Sequence, residues 1–596
     1  MTALGTGPLL QPMKLLPCLL AALLASSAAA AADFTVDATH VLKPADHAAA
    51  GALYGIAAPG WPPQTWIDAI HPRNFVQMAP GGHQLPNGET RPVGDALVVA
   101  PIAAAAGASI TIRLPDSFPD FPYLWTGRDT WDAEVRRIVA ATVAADPPNI
   151  YAYEIWNEPD WTWQSQWGDF NAVWASTYRA IRAADPGRRI LGPSLSKWDV
   201  GRMRDFLTAA KASGALPDII SWHELDPAGA NDIEAHVAAY RALEKELGLT
   251  PHPISIDEYG SQRAMATPSA LLHYIAQLER AGVETADLAF WHRPGRLSDL
   301  LVPRTMGTGP ATDPEPNGAW WLYKWYGEMT GGMVAATATP GNGLDGVAAY
   351  DRAHKTLTML VGGRAGTHSV SITGLAALGP AAGVTATATR WTGTDGALPA
   401  PEPLFTAALT IDGGSVTLPL TLRDDTEIVR LEIAAAPAGG MRPGLVLDRS
   451  RAHQPLRIEA ETGAVTGGRR FTIRAATFGA ARASGDAYVG FFNRTGAKLA
   501  LPVTVPAAGK YALALGYSNG QGEAQKVAIG VDDAPAQTID LLPTQGRELF
   551  GLAHATVDLP AGASTLTITR TDPALPLAAG PSVLEFDRIE LAPAPS

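Results

Sequence analysis

The stretch that decides the fold is Tyr-Ala-Tyr-Glu-Ile-Trp-Asn-Glu-Pro, at residues 151–159. Its first six residues form an apolar and aromatic run, which predicts a buried strand that gives way to a loop at Asn157-Glu158-Pro159. A second stretch, Ile-Ser-Ile-Asp-Glu-Tyr-Gly at residues 254–260, repeats the arrangement and places Glu258 after another apolar run. Two carboxyl groups therefore lie at the ends of predicted strands.

Six further segments resemble these strands, which gives eight in all, at residues 53–57, 74–78, 109–114, 151–158, 189–193, 219–223, 253–258 and 287–291. Between most of them, apolar residues recur at three- and four-residue spacing, which predicts helices over 131–145, 170–184, 201–213, 232–247 and 268–281. Residues 79–108 show no clear helix. This alternation is typical of a parallel sheet with crossover helices, and eight strands close it into an α/β fold, the (β/α)8 TIM barrel.

The strand count places Glu158 at the end of the fourth strand and Glu258 at the end of the seventh. Active sites of such barrels lie at the carboxyl ends of the strands. Hydrolysis of a glycosidic bond needs one carboxyl group to protonate the leaving oxygen and another to meet the positive charge that develops on the sugar. Glu158 and Glu258 are therefore the candidate catalytic pair.

The motif Trp156-Asn157-Glu158-Pro159, combined with Glu258 in a later barrel strand, resembles clan A of the retaining glycoside hydrolases, families 39 and 5 in particular. The resemblance covers roughly residues 50–330 and implies that Glu158 is the acid/base and Glu258 the nucleophile. Many members of that clan support the nucleophile with an Arg on the second strand.

The second predicted strand of this chain contains no Arg, and Arg113 lies on the third. Either the strand count is shifted by one, or the supporting charge comes from elsewhere. Glu154 lies on the same strand face as Glu158 by the two-residue alternation of strands, and we expect it to be a structural partner of such an Arg.

Four residues near the two acids are candidates for contact with the sugar. Asn157 would hydrogen-bond the sugar 2-hydroxyl, or else serve as a turn residue. His223, at the end of the sixth strand, would contact the sugar or Glu258, or else be a core or loop histidine. Trp291 ends the eighth strand, where clan relatives have the aromatic floor beneath the cleaved sugar. Tyr259 would orient the nucleophile, or else point into the packing.

Three tryptophans follow Glu158 closely, at positions 161, 163 and 167. The flat apolar faces of Trp161 and Trp163 suit stacking on sugar C–H surfaces, which would extend the site into a groove. The alternative is that these large side chains only close the top of the barrel. Stacking would favour a polysaccharide or oligosaccharide as the substrate.

The chain changes character after the barrel. Short alternating runs over residues 332–435 predict an antiparallel β-sandwich, and residues 33–50 belong either to the barrel domain or to this sandwich. Residues 436–455, rich in Ala, Gly and Pro, predict a linker. Residues 456–596 are β-rich throughout and form the last predicted domain.

Four ordered motifs in the last domain, beginning at residues 458, 485, 515 and 586, resemble carbohydrate-binding modules of families 6 and 35. The resemblance implies a galactose-binding-like β-jelly roll with a structural calcium ion held by Glu459, Glu461 and Asp587, since calcium prefers oxygen ligands. The alternative is that these three are ordinary strand acids. Asn519 matches a loop position that faces sugar in such modules.

Composition and the amino terminus indicate an exported enzyme. Lys14, the apolar residues 15–24 and the small residues 25–32 have the layout of a signal peptide at residues 1–32, too short for a stable membrane anchor. The single cysteine, Cys18, lies inside it, so the mature chain would form no disulfide; lipid attachment at Cys18 is the alternative. The net charge of -13 argues against nucleic acid as a partner.

Together these features predict a secreted or periplasmic retaining β-glycoside hydrolase that cleaves a polysaccharide or oligosaccharide by double displacement. The chain contains no Gly-rich phosphate loop and no Cys/His metal spacing, so we expect no cofactor for catalysis. The alternative is a non-catalytic glycan-binding protein whose barrel is inactive. A barrel enzyme of another kind, such as a lyase, should contain a metal cluster or a Lys or Tyr base, which the sequence does not suggest.

Overall fold

A computed structural model describes the chain at the following residues: 32–85, 91–225, 232–261, 264–289, 294–302, 314–392, 397–435, 456–472, 483, 487–521, 523–542, 550–573 and 584–594. The predicted signal peptide up to residue 31, the predicted linker and Trp291 lie outside these ranges. Among the described residues, no helix is both long and apolar enough to cross a membrane.

Strand β1 (Phe34–Pro44) precedes a closed barrel of eight parallel strands in chain order. The barrel strands are β2 (Gly51–Leu53), β3 (Asn74–Met78), β4 (Ser109–Arg113), β5 (Ile150–Glu154), β6 (Arg189–Leu195), β7 (Ile219–Glu224), β8 (Ile254–Tyr259) and β9 (Thr285–Leu288). Because β9 pairs with β2, the sheet has no free edge. The predicted TIM barrel is confirmed, and the strand count is not shifted.

The barrel helices are α1 (Gln64–Asp68), α2 (Ala96–Ala105), α3 (Arg128–Ala145), α4 (Pro159–Thr162), α5 (Phe170–Ala184), α6 (Val200–Ser213), α7 (Ile233–Glu246), α8 (Pro268–Ala281) and α9 (Gly318–Gly327). Aspartates cap several of them at the amino end; the Asp199 side chain, for example, accepts hydrogen bonds from the backbone of residues 201 and 202. The sequence did not indicate α2, because its residues are apolar on nearly every side and Pro101 lies inside it.

Four barrel strands end earlier than their sequence pattern predicted: the third by one residue, the eighth by three, and the first and fourth by four. The first strand ends at Leu53, because Tyr54 has a positive φ of 48°. The fourth ends at Glu154, so Glu158 lies four residues beyond it, in an irregular segment. The catalytic candidate on this strand is therefore positioned by loop geometry and not by the strand itself.

After the short ribbon of β10 (Leu301–Val302) and β11 (Glu315–Pro316), the chain forms a nine-stranded sheet around its own core. The strands that follow the ribbon are β12 (Gly332–Ala338), β13 (Leu344–Asp351), β14 (Thr356–Gly363), β15 (Gly366–Thr373), β16 (Ala381–Thr389), β17 (Glu402–Thr410), β18 (Val416–Leu422) and β19 (Ile428–Ala435). Strand β1 lies between β12 and β15, so the segment before the barrel completes this sheet.

The C-terminal domain consists of two antiparallel sheets that enclose a third core. Its strands are β20 (Leu456–Glu459), β21 (Ala464–Thr466), β22 (Arg469–Thr472), β23 (Ala487–Gly490), β24 (Lys498–Val505), β25 (Gly509–Asn519), β26 (Gln525–Val531), β27 (Gln537–Leu541), β28 (Gly551–Leu559), β29 (Gly562–Arg570) and β30 (Leu584–Pro593). This agrees with the predicted β-rich module.

Close packing between α5 and β6 gives a test of the barrel. A Cβ atom at Gly192 of β6 would lie 2.4 Å from the Trp174 ring of α5, whereas one at Gly187 would meet nothing within 4 Å. We expect Gly192→Ala to lower the free energy of unfolding by about 1–3 kcal/mol, since a well-packed core resists added volume. Urea unfolding of this variant, with Gly187→Ala as the matched control, measures the effect. Equal stability of the two variants would contradict the packing.

Candidate active site

A buried arginine organises the carboxyl end of the barrel. Arg113, the last residue of β4, is paired in register with Glu154, the last residue of β5. Its Nε donates to Glu154 Oε2 at 2.8 Å, and its Nη1 donates to Glu258 Oε1 at 2.6 Å. All three side chains are buried. Arg113 on the third strand therefore supplies the charge beside Glu258, and Glu154 is its expected structural partner.

Glu258 has an acidic neighbour that also faces the site. The pairing of β8 with β9 is irregular between Ile256 and Tyr259. In a regular strand successive side chains alternate between the two faces, whereas a bulge redirects them. Asp257 accepts a hydrogen bond from the Ser194 hydroxyl at 2.8 Å, and its Oδ1 lies 3.7 Å from His223 Nε2. Consecutive acids thus surround one histidine.

Glu158 is held in an unusual backbone conformation. It has φ 53° and ψ 50°, in the left-handed region that non-glycine residues seldom adopt, and it is the residue before α4. Its N–H donates to the Ser194 carbonyl at 2.8 Å. Strain of this kind persists where the surrounding structure enforces it and is frequent at functional sites.

Each carboxylate oxygen of Glu158 has a different partner. His223 Nδ1 lies 3.0 Å from Oε1, on the buried side. The Trp161 indole N–H donates to Oε2 at 2.7 Å, on the exposed side. A carboxylate oxygen of Glu158, a ring nitrogen of His223 and a carboxylate oxygen of Glu258 all lie within 4.8 Å of one another. The sequence-predicted acids therefore meet at a single site, with the histidine between them.

His223 is a cation in this environment. Burial alone would lower the pKa of its imidazole, but the negative charges of Glu258 and Asp257 and the hydrogen bond to Glu158 raise that pKa from 6.5 to about 10. A protonated imidazole cannot bind a metal through its protonated nitrogens. The trio is compact enough to hold a metal ion, which would have to displace the proton from the imidazole.

Two further predicted contacts have clear positions. Asn157 is buried, and its Oδ1 has no hydrogen-bond partner among the described residues. Trp161 is 50% exposed at the rim. The Asn157 amide thus keeps one buried oxygen without a hydrogen-bond partner among the described residues, and the Trp161 ring is accessible from solvent.

The structure does not support three of the predicted sugar contacts. Trp163 packs edge-on against Trp125 and Trp156, and its N–H donates to the Gly168 carbonyl, so it closes the barrel top. The Tyr259 hydroxyl donates to the Ala49 carbonyl at 2.7 Å and lies in the packing outside the barrel. Asn519 is buried; its amide nitrogen donates to the backbone carbonyls of residues 523 and 541, and its amide oxygen accepts from the backbone N–H of residue 521.

The predicted calcium ligands belong to the C-terminal domain. Glu459 accepts a hydrogen bond from Arg457, and Asp587 from Arg588. Glu461 has a buried Oε2 without a hydrogen-bond partner among the described residues. Burial raises the pKa of Glu461, and the charges of Glu459 and Asp587 raise it further. The three acids therefore interact electrostatically.

Two acidic residues near the site were missed, Asp257 and Asp116. Asp116 is buried just beyond β4, where it accepts hydrogen bonds from the hydroxyls of Tyr54 and Tyr123. Burial raises the pKa of its carboxyl to about 6, and the Glu258 charge contributes to that rise, although Arg113 and the two tyrosines oppose it. Its position two residues after a predicted strand was the available signal, since strand-end acids were the basis for choosing the candidate catalytic pair.

Comparison with known proteins gives related sequences and folds. No protein-family model matches the chain. It is 27% identical over 570 residues to 3-O-beta-L-arabinopyranosyl-alpha-L-arabinofuranosidase of Bifidobacterium pseudocatenulatum, covering 82% of this chain and 56% of that protein. It is 26% identical over 543 residues to 3-O-alpha-D-galactosyl-alpha-L-arabinofuranosidase of Bifidobacterium longum subsp. longum, covering 78% and 46%. The chain thus spans about half the length of the curated relatives it matches.

Solved structures also match. N2152 from Neocallimastix frontalis is 32% identical, with a TM-score of 0.62, and the match covers 68% of this chain and 100% of that protein. A family 35 carbohydrate binding module from Clostridium thermocellum matches 24% of this chain over 98% of its own length, at 21% identity and a TM-score of 0.20.

The charge of His223 predicts a pH-dependent stability. Because folding raises the pKa of this imidazole from 6.5 to about 10, its contribution is complete below pH 6.5 and is lost as the pH rises through 10. We expect the difference in unfolding free energy between the wild type and His223→Gln to shrink over that interval. Chemical unfolding at a series of pH values measures it, with the exposed His40→Gln as control. A difference that stays constant with pH would contradict the assignment.

Proposed function

We propose that this chain, which belongs with N2152 to one family of clan A-like glycoside hydrolases, hydrolyses α-L-arabinofuranosidic bonds with retention of configuration. The observation that carries the proposal is the compact arrangement of Glu158, His223 and Glu258 at the carboxyl end of the TIM barrel, with one ligand atom of each within 4.8 Å of the others. Two acids at this end of a barrel can act on opposite sides of one anomeric carbon.

Glu258 is suited to be the nucleophile. The Arg113 guanidinium donates to its Oε1 at 2.6 Å, and a charge-assisted hydrogen bond of this kind favours the ionised carboxylate. Arg113 itself is fixed on its other side by Glu154. Attack by Glu258 on the anomeric carbon would form a glycosyl ester as the bond to the leaving oxygen breaks.

Glu158 is suited to be the acid/base. In the first step it would transfer its proton to the leaving oxygen and become a carboxylate. In the second step that carboxylate would take a proton from water, whose oxygen attacks the anomeric carbon and releases Glu258. The cationic His223, 3.0 Å from Glu158 Oε1, would compensate the negative charge between the two steps.

The spacing of the two acids supports retention. Retaining enzymes have carboxyl groups about 5–5.5 Å apart, whereas inverting enzymes need about 6.5–9.5 Å to admit a water. One oxygen of Glu158 and one oxygen of Glu258 lie within 4.8 Å of each other, which is compatible with the closer spacing of retaining enzymes. The buried Oδ1 of Asn157 would accept a hydrogen bond from the sugar 2-hydroxyl, the contact that strengthens in the transition state.

The proposed substrate comes from the curated relatives. Both are named for α-L-arabinofuranosides that carry a second sugar on O3. The sequence had suggested a β-glycoside, but an α-L-arabinofuranoside and the β-glycosides of D-xylose or D-glucose all have the leaving group trans to the 2-hydroxyl. The same pair of acids can therefore serve either linkage, and we propose the O3-substituted arabinofuranoside.

Two predictions outside the active site remain part of the proposal. We propose export, on the basis of residues 1–32, and a structural calcium ion held by Glu459, Glu461 and Asp587. The buried Oε2 of Glu461 and the acids close to it suit a hard cation. This ion would stabilise the C-terminal domain and has no part in catalysis.

Variants of the two acids test the mechanism. We expect Glu258→Ala to abolish hydrolysis of a 3-O-galactosyl-α-L-arabinofuranoside, and Glu158→Ala to lower kcat/KM by about 10²–10⁴-fold, since general acid–base catalysis typically contributes that much. Added azide should restore turnover in both variants. In Glu158→Ala the azide should attack the glycosyl ester and give a product of retained configuration, whereas in Glu258→Ala it should attack the substrate and give the inverted product, as read by proton NMR.

The control variant is Glu134→Gln, which changes a partly exposed acid on α3 that faces away from the site. It should keep wild-type activity. Full activity of either active-site variant, or inverted product from the wild type, would overturn the proposal.

A further inference from the structure

We infer that Trp161 and Phe121 form a binding edge for the leaving-group sugar, so that the preferred substrates are arabinofuranosides linked to another carbohydrate. This inference rests on the proposed function and deepens it. It assigns a position to the sugar that departs as the leaving group. The proposed roles of Arg113, Asn157 and His223 lie instead at the arabinofuranosyl group, which stays bound to the enzyme after the first step.

The two oxygens of Glu158 fix the side on which the leaving group lies. Oε1 faces the fully buried His223, so no substrate can approach it from that direction. Oε2 faces the Trp161 indole at the rim. The proton passed to the leaving oxygen must therefore come from Oε2, and the leaving sugar must lie on the side of Trp161.

An exposed aromatic surface lies on that side. Trp161 is 50% exposed and Phe121 is 43% exposed. Their rings meet edge to face, with centroids 5.4 Å apart and an interplanar angle of 85°. Tyr123 packs edge-on against Phe121, and the neighbouring Leu124 is 60% exposed. Apolar ring faces of this kind suit the C–H surfaces of a pyranose.

The exposure of Trp161 contrasts with the closer packing of nearby tryptophans, of which Trp156 is buried and Trp125 and Trp163 are partly buried. Trp125, Trp156 and Trp163 pack on one another with centroids 4.8 to 5.9 Å apart and close the barrel top. Trp161 forms its ring contact with the exposed Phe121 instead. A large apolar side chain left outside an adjacent aromatic core indicates a binding surface more than a structural one.

The turn that carries Trp161 is rigidly held. Asp160 accepts hydrogen bonds from the backbone N–H of Ser196 at 2.9 Å and from its hydroxyl at 2.6 Å. The Thr162 hydroxyl donates to the carbonyl of Asn157 or of Glu158 and accepts from the Trp156 indole. The indole ring is therefore positioned before substrate binds, which lowers the entropic cost of stacking.

The test compares two substrates that share the 3-O-galactosyl-α-L-arabinofuranosyl group. In one it is linked to galactose, and in the other its leaving group is fluoride, which presents no surface for stacking. We expect Phe121→Ala and Trp161→Ala to raise KM for the galactose-linked substrate about tenfold. Phe121→Ala should leave kcat/KM for the fluoride unchanged. Trp161→Phe keeps an aromatic face and should recover most of the KM lost in Trp161→Ala.

The matched control is Val143→Ala on α3, which removes a side chain of similar exposure, 45%, from the opposite end of the barrel. Val143→Ala should leave KM and kcat/KM unchanged for both substrates. If Phe121→Ala lowered kcat/KM equally for both substrates, the binding edge would be overturned and the proposed function would stay intact. Failure of the wild type to hydrolyse either substrate would instead overturn the proposed function, and the inference with it.

Discussion

The guanidinium of Arg113 is the interaction on which the rest of the site depends. It lies buried between Glu154 and Glu258 and donates to both. Removing one partner of a buried ion pair leaves an uncompensated charge and typically costs about 3–5 kcal/mol. Such a residue is not expected to persist for stability alone, because a well-packed apolar group would serve as well. Its position is explained by the need for an ionised carboxylate inside a protein core.

The arrangement also explains why the arginine can reside on the third strand. Arg113 and Glu154 end adjacent strands in register, so the arginine reaches Glu154 directly beside it and Glu258 across the barrel. A barrel places all strand ends on one rim, so the same charge can reach a given carboxylate from more than one strand. The resemblance to the clan implies a positive charge beside the nucleophile. The barrel geometry allows that charge to come from an arginine on more than one strand.

Periodic sequence patterns predict the regular strands and helices of this chain, whereas its irregular segments have no pattern that the sequence could reveal. Eight strand patterns and their order sufficed for the barrel and for the strands nearest Glu158 and Glu258. The bulge in β8, the left-handed backbone of Glu158 and the helix α2 have no periodic pattern, since each arises from contacts between distant segments. Trp161 and Trp163 show the same limit: two positions separate them in the chain, yet one faces solvent and the other closes the barrel.

The three domains meet near the strand that carries Glu258. Met265 and Ala266, which follow β8, pack against Trp391 of the nine-stranded sheet. The Arg588 guanidinium of the C-terminal domain lies 4.6 Å from the centroid of that same ring. One indole thus links the segment after Glu258 to both accessory domains. Partly desolvated cation–π contacts contribute about 1–2 kcal/mol, enough to favour a fixed arrangement of the module beside the barrel.

Under the proposed mechanism Glu158 must serve first as an acid and then as a base, and its unequal partners make this possible. The cationic His223 holds Oε1 in both steps, so the carboxyl group does not rotate when its charge changes. In that mechanism Oε2 would be the oxygen that carries the proton, since its hydrogen-bond partner among the described residues is the neutral Trp161 N–H. The leaving oxygen in the first step and water in the second would replace this neutral donor at Oε2. The oxygen nearest solvent is therefore the one that exchanges protons, while the buried one keeps its position.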